Sequence, residues 1–162
     1  MATSRRQKFE TSASLTITLA SLGIGAGRVS TQINSNDTGQ ATSGKNVDSV
    51  MVRAHFRMGG VAPTAGKTVL YYLVRGDGAS HIDGNLSTTD GAVTVSTLQD
   101  QLELVCAVPV TVTTAADYYV SFVLYNPGEA WSIMVWNGTD QALDTTAGNF
   151  YIKYEPVTDT FL

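Results

Sequence analysis

The run DSVMVRAHFRM, Asp48 to Met58, alternates side chain by side chain. Val50, Val52, Ala54, Phe56 and Met58 fall on one side of an extended chain. Met51, Arg53, His55 and Arg57 fall on the other. Successive side chains of a strand point to opposite faces, so this pattern predicts a strand with one buried face. The same period of two recurs along the chain, and no stretch sustains a helical period with caps at its ends. That pattern confines the chain to an all-β architecture.

Further strands are expected at KTVLYYLVR (Lys67 to Arg75), which is apolar on both faces, and at LELVCAVPVTV (Leu102 to Val112). In the latter, Leu102, Leu104, Cys106, Val108, Val110 and Val112 share a face. Pro109 removes a ladder donor, which predicts an edge or bulged strand. DYYVSFVLYN (Asp117 to Asn126) and WSIMVWNG (Trp131 to Gly138) read as a hairpin across Asn126-Pro127-Gly128. FYIKYEPV (Phe150 to Val157), a first segment LTITLASLGIGAG from Leu15, and a weaker AVTVST (Ala92 to Thr97) bring the total to about eight. A short helical turn is expected near Leu98 to Leu102, and a polar loop at residues 34–46. The expected fold is a single antiparallel β-sandwich, jelly-roll-like, over residues 14–162, preceded by an extended N-terminal arm over residues 1–13. At 162 residues the chain has the size of one domain.

GGVAPTAGKT, Gly59 to Thr68, ends like a phosphate-binding P-loop. The spacing of that motif puts its first glycine where Val61 stands, and Lys67 opens a strand rather than a helix. Without a helix N-terminus no ring of backbone N–H groups cradles phosphate. The stretch reads as a β connection built from Pro63 and its glycines, with hairpin composition.

Other candidate chemistry is thin. Arg75-Gly76-Asp77 spells an adhesion tripeptide, within a Gly/Asp loop that continues to Asn85. The oxygens of Asp77, Ser80, Asp83 and Asn85 crowd that loop, but their spacing fits no EF-hand. His55 reads as a solvated or interface residue on the polar side of its strand. His81 is the second and last histidine, and neither has a partner at metal-ligand spacing. Cys106, the sole cysteine, reads as an inert core thiol and excludes an internal disulfide. Sequons stand at Asn36, Asn85 and Asn137. No nucleophile elbow or assignable carboxylate pair points to an enzyme, and no cofactor or metal is expected. Seven tyrosines with Trp131 and Trp136 suit sheet packing better than a sugar-binding face.

A net charge of −4 argues against tracking nucleic acid. SRRQKF at Ser4 to Phe9 has the arginines of an export signal, but Glu10, Thr16 and Thr18 break the apolar core such a signal needs. No run is long and apolar enough to span a bilayer as a helix, so no membrane partner is expected.

The order of segments resembles a known family. SLTITLASLGIGAGRVSTQINS, VDSVMVRAHFRM, TAGKTVLYYLVRGDGASHIDGN, YYVSFVLYNPGEAWSIMVWNGTDQAL and GNFYIKYEPVTDTF, read in sequence, are similar to small virion structural proteins of tailed bacteriophages. The likeness covers the chain after about Ser14 and rests on strands and turns, not on catalytic residues. It implies a sandwich or jelly-roll fold and a virion role, with assembly in the host cytoplasm. Some members decorate the outer surface of the head as cement proteins, with the major capsid protein and further copies of themselves, as trimer or dimer, for partners. On that expectation Arg5, Arg6 and Lys8 steer the arm onto an acidic capsid neighbour, with Phe9 as an apolar anchor. Two other classes stand beside it: a host-recognition module on a tail or head fibre, and a small secreted carbohydrate-binding module.

Overall fold

The computed structural model describes residues 5–34, 49–77, 83–94 and 101–161, with the side chains of residues 5–7 and 158–161 excepted. Eleven strands are present among them: β1 (Arg5–Phe9), β2 (Ala13–Ser14), β3 (Gly27–Val29), β4 (Ile33–Asn34), β5 (Ser49–Arg57), β6 (Thr68–Gly76), β7 (Gly91–Val93), β8 (Glu103–Pro109), β9 (Asp117–Tyr125), β10 (Ala130–Gly138) and β11 (Tyr151–Phe161). The count exceeds the eight expected because β1 to β4 are short pieces whose periodicity is too brief to read.

The strands form an antiparallel sandwich. One sheet has the order β1-β11-β5-β9, with β2 also on β11. The other has the order β7-β3-β10-β6-β8, with β4 also on β10. The alternation in β5 is realised as expected, with Val50, Val52, Ala54, Phe56 and Met58 all buried. They meet Val69, Tyr71 and Leu73 of β6 and Trp131, Ile133 and Val135 of β10 in the main core. The other faces of β6 and β10 are covered as well. Tyr72, Val74 and Met134 join Val29, Val93 and Leu102 in a second cluster. Two covered faces are why KTVLYYLVR is apolar on both sides.

The expected hairpin across Asn126-Pro127-Gly128 is instead a crossing between sheets. β9 pairs with β5 and β10 pairs with β6, so Asn126-Pro127-Gly128 arches from one layer to the other. Asn126 and Gly128 both take positive φ there. The connection from Gly59 to Lys67 likewise joins β5 to β6 across the layers. No helix follows Lys67, as expected. Thr64 fastens this crossing: its backbone N–H donates to Asp140 Oδ1 at 2.9 Å, and its hydroxyl donates to Oδ2. Turn residues reverse a chain in a hairpin or an arch alike. What separates the two is the burial of Phe122 and Leu124 opposite Trp131 and Ile133, a tertiary property.

The segment after Ser14 forms no ladder from Leu15 to Leu22 and turns at Ala20 and Ser21. It passes from β11 toward β10 and drops Leu15, Leu19 and Leu22 into the main core, closing that side of the sandwich. At the far edge, β8 carries a bulge: Tyr71 opposes Cys106 while Tyr72 opposes Leu104, leaving Val105 unmatched. Pro109 marks this edge strand as expected. The bulge breaks the single face expected for the run. Leu104 points out beside Tyr72 and is 52% exposed, and Val112 is exposed beyond the strand.

Two polar devices lock the loops. The Asn137 side chain is fully buried. It donates to Leu22 O at 3.0 Å and Gln141 O at 2.8 Å, and accepts from the N–H and hydroxyl of Thr139 at 3.1 and 2.7 Å. Asp90, next to β7, accepts from Arg28 Nε and Thr18 Oγ1, each at 2.6 Å. Burial alone would raise the Asp90 pKa, but these bonds and the guanidinium charge outweigh it and hold the carboxyl below its usual range.

Candidate interaction surface

The sheet β1-β11-β5-β9 covers only one of its faces, and the odd-numbered residues of β5, of β9 and, from Tyr151 to Val157, of β11 point away from the core. Register sorts them into rows. Tyr119, His55 and Tyr151 form the first, Ser121, Arg53 and Lys153 the second, and Val123, Met51 and Glu155 the third. Tyr125, Ser49 and Val157 form the fourth, which β1 extends with Phe9 opposite Val157. Rows two residues apart along a strand are about 7 Å apart, and strands about 4.8 Å, so the face is roughly 20 Å long.

Its side chains hold one another. The imidazole of His55 stacks on Tyr119 with centroids 4.4 Å apart, and Tyr151 tilts against it at 5.4 Å. His55 Nε2 lies 2.9 Å from Asp117 Oδ1. His55 is therefore buried among neighbours on the outer face, so of its two expected roles, solvated or interface, the solvated one does not hold. Lys153 Nζ sits 5.2 Å from the centre of the Tyr151 ring, and Arg53 donates to Glu155 at 2.7 Å. Arg53 and Lys153 offset Glu155 and Asp117, so the face has little net charge of its own. Its accessible features are the rings of Tyr119 and Tyr125, 71% and 74% exposed.

The nine aromatic candidates thus separate. Tyr71, Tyr72, Trp131 and Tyr154 are buried, Tyr118 stacks on Phe56 at the inner face, and Trp136 packs in the second cluster. Only Tyr119, Tyr125 and Tyr151 reach the outer face. Sequence reading identifies Arg53 and His55 as outward, but not their partners on β9 and β11, because cross-strand neighbours are set by register.

Of the arm expected over residues 1–13, the part described, from Arg5 onward, lies along β11 of its own chain. β1 pairs residue by residue from Arg5–Phe161 to Phe9–Val157, and β2 places Ala13 and Ser14 opposite Tyr154 and Lys153. Lys8 is exposed and pairs with Glu10 at 3.0 Å, while Phe9 is 55% exposed. Arg5 and Arg6 lie on the same strand; their side chains fall outside the described residues. Lys8 and Phe9 alternate to opposite sides of β1, so the four candidates share a sheet edge and not one face.

The remaining candidates fall to structural roles. Arg75 and Gly76 of the adhesion tripeptide are ladder residues of β6 opposite Trp131 and Ala130. The Arg75 N–H donates to Asp83 Oδ2 at 2.9 Å and its guanidinium pairs with Glu103 at 2.6 Å. Ser80, His81 and the sequon at Asn36 lie outside the described residues, as do most of Leu98 to Leu102 and of the polar loop at residues 34–46. Among the described residues no three of His, Cys, Asp and Glu gather where a metal could sit. No described helix is long and apolar enough to cross a membrane. The Asn137 sequon is buried in the fold. Cys106 is half-buried rather than fully buried as expected, and burial still pushes its thiol pKa up. No protein-family model matches the chain, and no curated protein matches its sequence.

Proposed function

We propose that this chain is a non-enzymatic structural protein of a bacteriophage virion, a decoration protein that binds across major capsid subunits on the outer surface of the head. The observation that carries this reading is the division of labour between the two sheets. The central strands of one sheet, β6 and β10, are covered on both faces and stiffen the body. The other sheet presents an outer face on which His55, Tyr119, Tyr151, Arg53 and Glu155 already hold one another, so docking costs them little rotamer entropy. β1 adds the exposed Phe9 at the rim of that face and basic residues along the same sheet edge. With the face close to charge-balanced, Arg5, Arg6 and Lys8 supply the attraction to an acidic capsid. Copies associate with one another as a dimer or trimer, and many weak contacts then act together through avidity.

A second reading rests on a separate observation: Tyr119 and Tyr125 leave ring faces open to solvent on one surface. Such rings stack on sugars, which suits a host-recognition or carbohydrate-binding module on a tail or head fibre.

Cryo-electron microscopy of the native particle tests the choice. Density for this chain at symmetry axes of the head lattice, touching several capsid subunits, is the expected result. Density only on the tail or on isolated spikes overturns the decoration reading and favours the second. Co-sedimentation with capsids then tests β1: deleting residues 1–12 should weaken binding, and unchanged binding removes β1 from the interface.

A further inference from the structure

The sandwich has four sheet edges among the described residues, and a free edge is a template for pairing with another chain unless something blunts it. β7 is only three residues long. β8 carries the bulge at Val105 and ends in Pro109. β1 carries Arg5, Arg6 and Lys8. Short length, bulge with proline, and positive charge are three ways of discouraging edge pairing. β9 has none of them. It runs nine residues as DYYVSFVLY, pairs with β5 without a register shift, and has one charge, Asp117, at its first position.

Among the described residues the core is also only partly covered beside β9. Five of the ten partly buried apolar residues around the main core lie on β8 and β9: Val105, Cys106, Val108, Tyr118 and Val120. At this side the two layers end without a described strand to close them.

We propose that two copies of this chain pair antiparallel through β9, fusing the β1-β11-β5-β9 sheets of both into one. The sequence of β9 is self-complementary under that symmetry. Full overlap places Ser121 opposite itself. Tyr119 then faces Val123 of the second copy, Tyr118 faces Leu124, and Val120 faces Phe122, so apolar meets apolar on both sides of the ladder. Asp117 meets the Tyr125 hydroxyl end, and no like charges are opposed. Such pairing is isologous and closes at two copies. The pairing rests on the fold and not on the virion role, and a monomer that still binds capsids leaves that role intact.

Sedimentation velocity of the purified full chain over a concentration series tests the pairing. The expected species has twice the 17.2 kDa chain mass. Ser121→Lys sets like charges opposite each other at the symmetry axis and should weaken the dimer by about fivefold or more. Ser121→Cys should form an intermolecular disulfide under mild oxidation, whereas the wild-type chain, with Cys106 alone, should not. Ser121 is exposed, and thermal melts of both variants check that the fold is kept. A monomer throughout the series, a closed trimer, or a dimer indifferent to Ser121→Lys with no Ser121→Cys cross-link overturns the proposal.

Discussion

The ring of His55 lies nearly parallel to that of Tyr119, with 10° between their planes, across the junction of β5 and β9. The stack ties an edge strand to the sheet on its solvent side, and the Asp117 carboxylate fixes the ring orientation. Tyr119→Ala should destabilise the chain by about 1 kcal/mol, the range of an aromatic cross-strand pair. Urea unfolding measures it; a change within error would mean that Asp117 and Tyr151 alone hold His55.

Asn137 ties the backbone at Leu22 to its own loop, at Thr139 and Gln141, through four hydrogen bonds of a fully buried side chain. Asn137→Ala removes one donor each from the Leu22 and Gln141 carbonyls, which keep the Leu143 N–H and the Thr139 hydroxyl, and leaves the Thr139 N–H without its acceptor. A loss of about 2 kcal/mol is expected, because one buried N–H left unsatisfied costs about 1–3 kcal/mol and the loop relaxes in part. The same unfolding measurement applies, and a loss under half that size would show that the loop re-forms around a substitute acceptor.

Tyr71 makes the opposite case. Its hydroxyl is buried with no hydrogen-bond partner, and burial together with the nearby Cys106 pushes its pKa far up. Tyr71→Phe removes the unsatisfied group while keeping the ring against Phe122, 5.6 Å away. The variant should be as stable as the parent or more so, by up to about 1 kcal/mol. A clear drop in the melting temperature would reveal a bound water or other partner at that hydroxyl.

Asp90 gives the chain a dependence on acidity. Its folded-state pKa lies below the unfolded value, so its contribution is complete above the unfolded pKa, near 4. The contribution fades as the pH falls through the lower, folded-state pKa. Asp90→Asn should therefore cost about 1–2 kcal/mol at pH 7 and progressively less below pH 4. Parallel denaturation curves at both pH values measure the gap; a constant gap would place the effect in packing and not in charge.

The fold class is legible because β5, β6, β9 and β10 keep a period of two over nine residues each. Pro109 is equally legible, since a missing donor restricts a strand to few places. The arches at Asn126 and Gly59 are not, because a turn's residues specify that the chain reverses and not which layer it joins. Leu15 to Leu22 imitate a strand because a segment plugging a core also alternates, even with no ladder. On the candidate surface, the outward positions follow from the pattern in β5. The His55–Tyr119 stack and the pairing of β1 with β11 depend on register between strands far apart in sequence, which a pattern within one strand does not contain.

The position of β11, between β1 and β5, has a consequence for biosynthesis. Arg5 to Phe9 leave the ribosome early, yet their partners at Val157 to Phe161 are made only after almost all the described residues. At about 5–20 residues per second, that interval is on the order of ten seconds. Throughout it, the strand with Phe9 and its basic neighbours has no cognate ladder within its own chain. Nascent copies on one messenger sit side by side for that same interval. An early strand of one copy can meet a finished β11 on the copy ahead before its own exists, so the spacing of ribosomes along the message becomes a variable in how the sheet is completed.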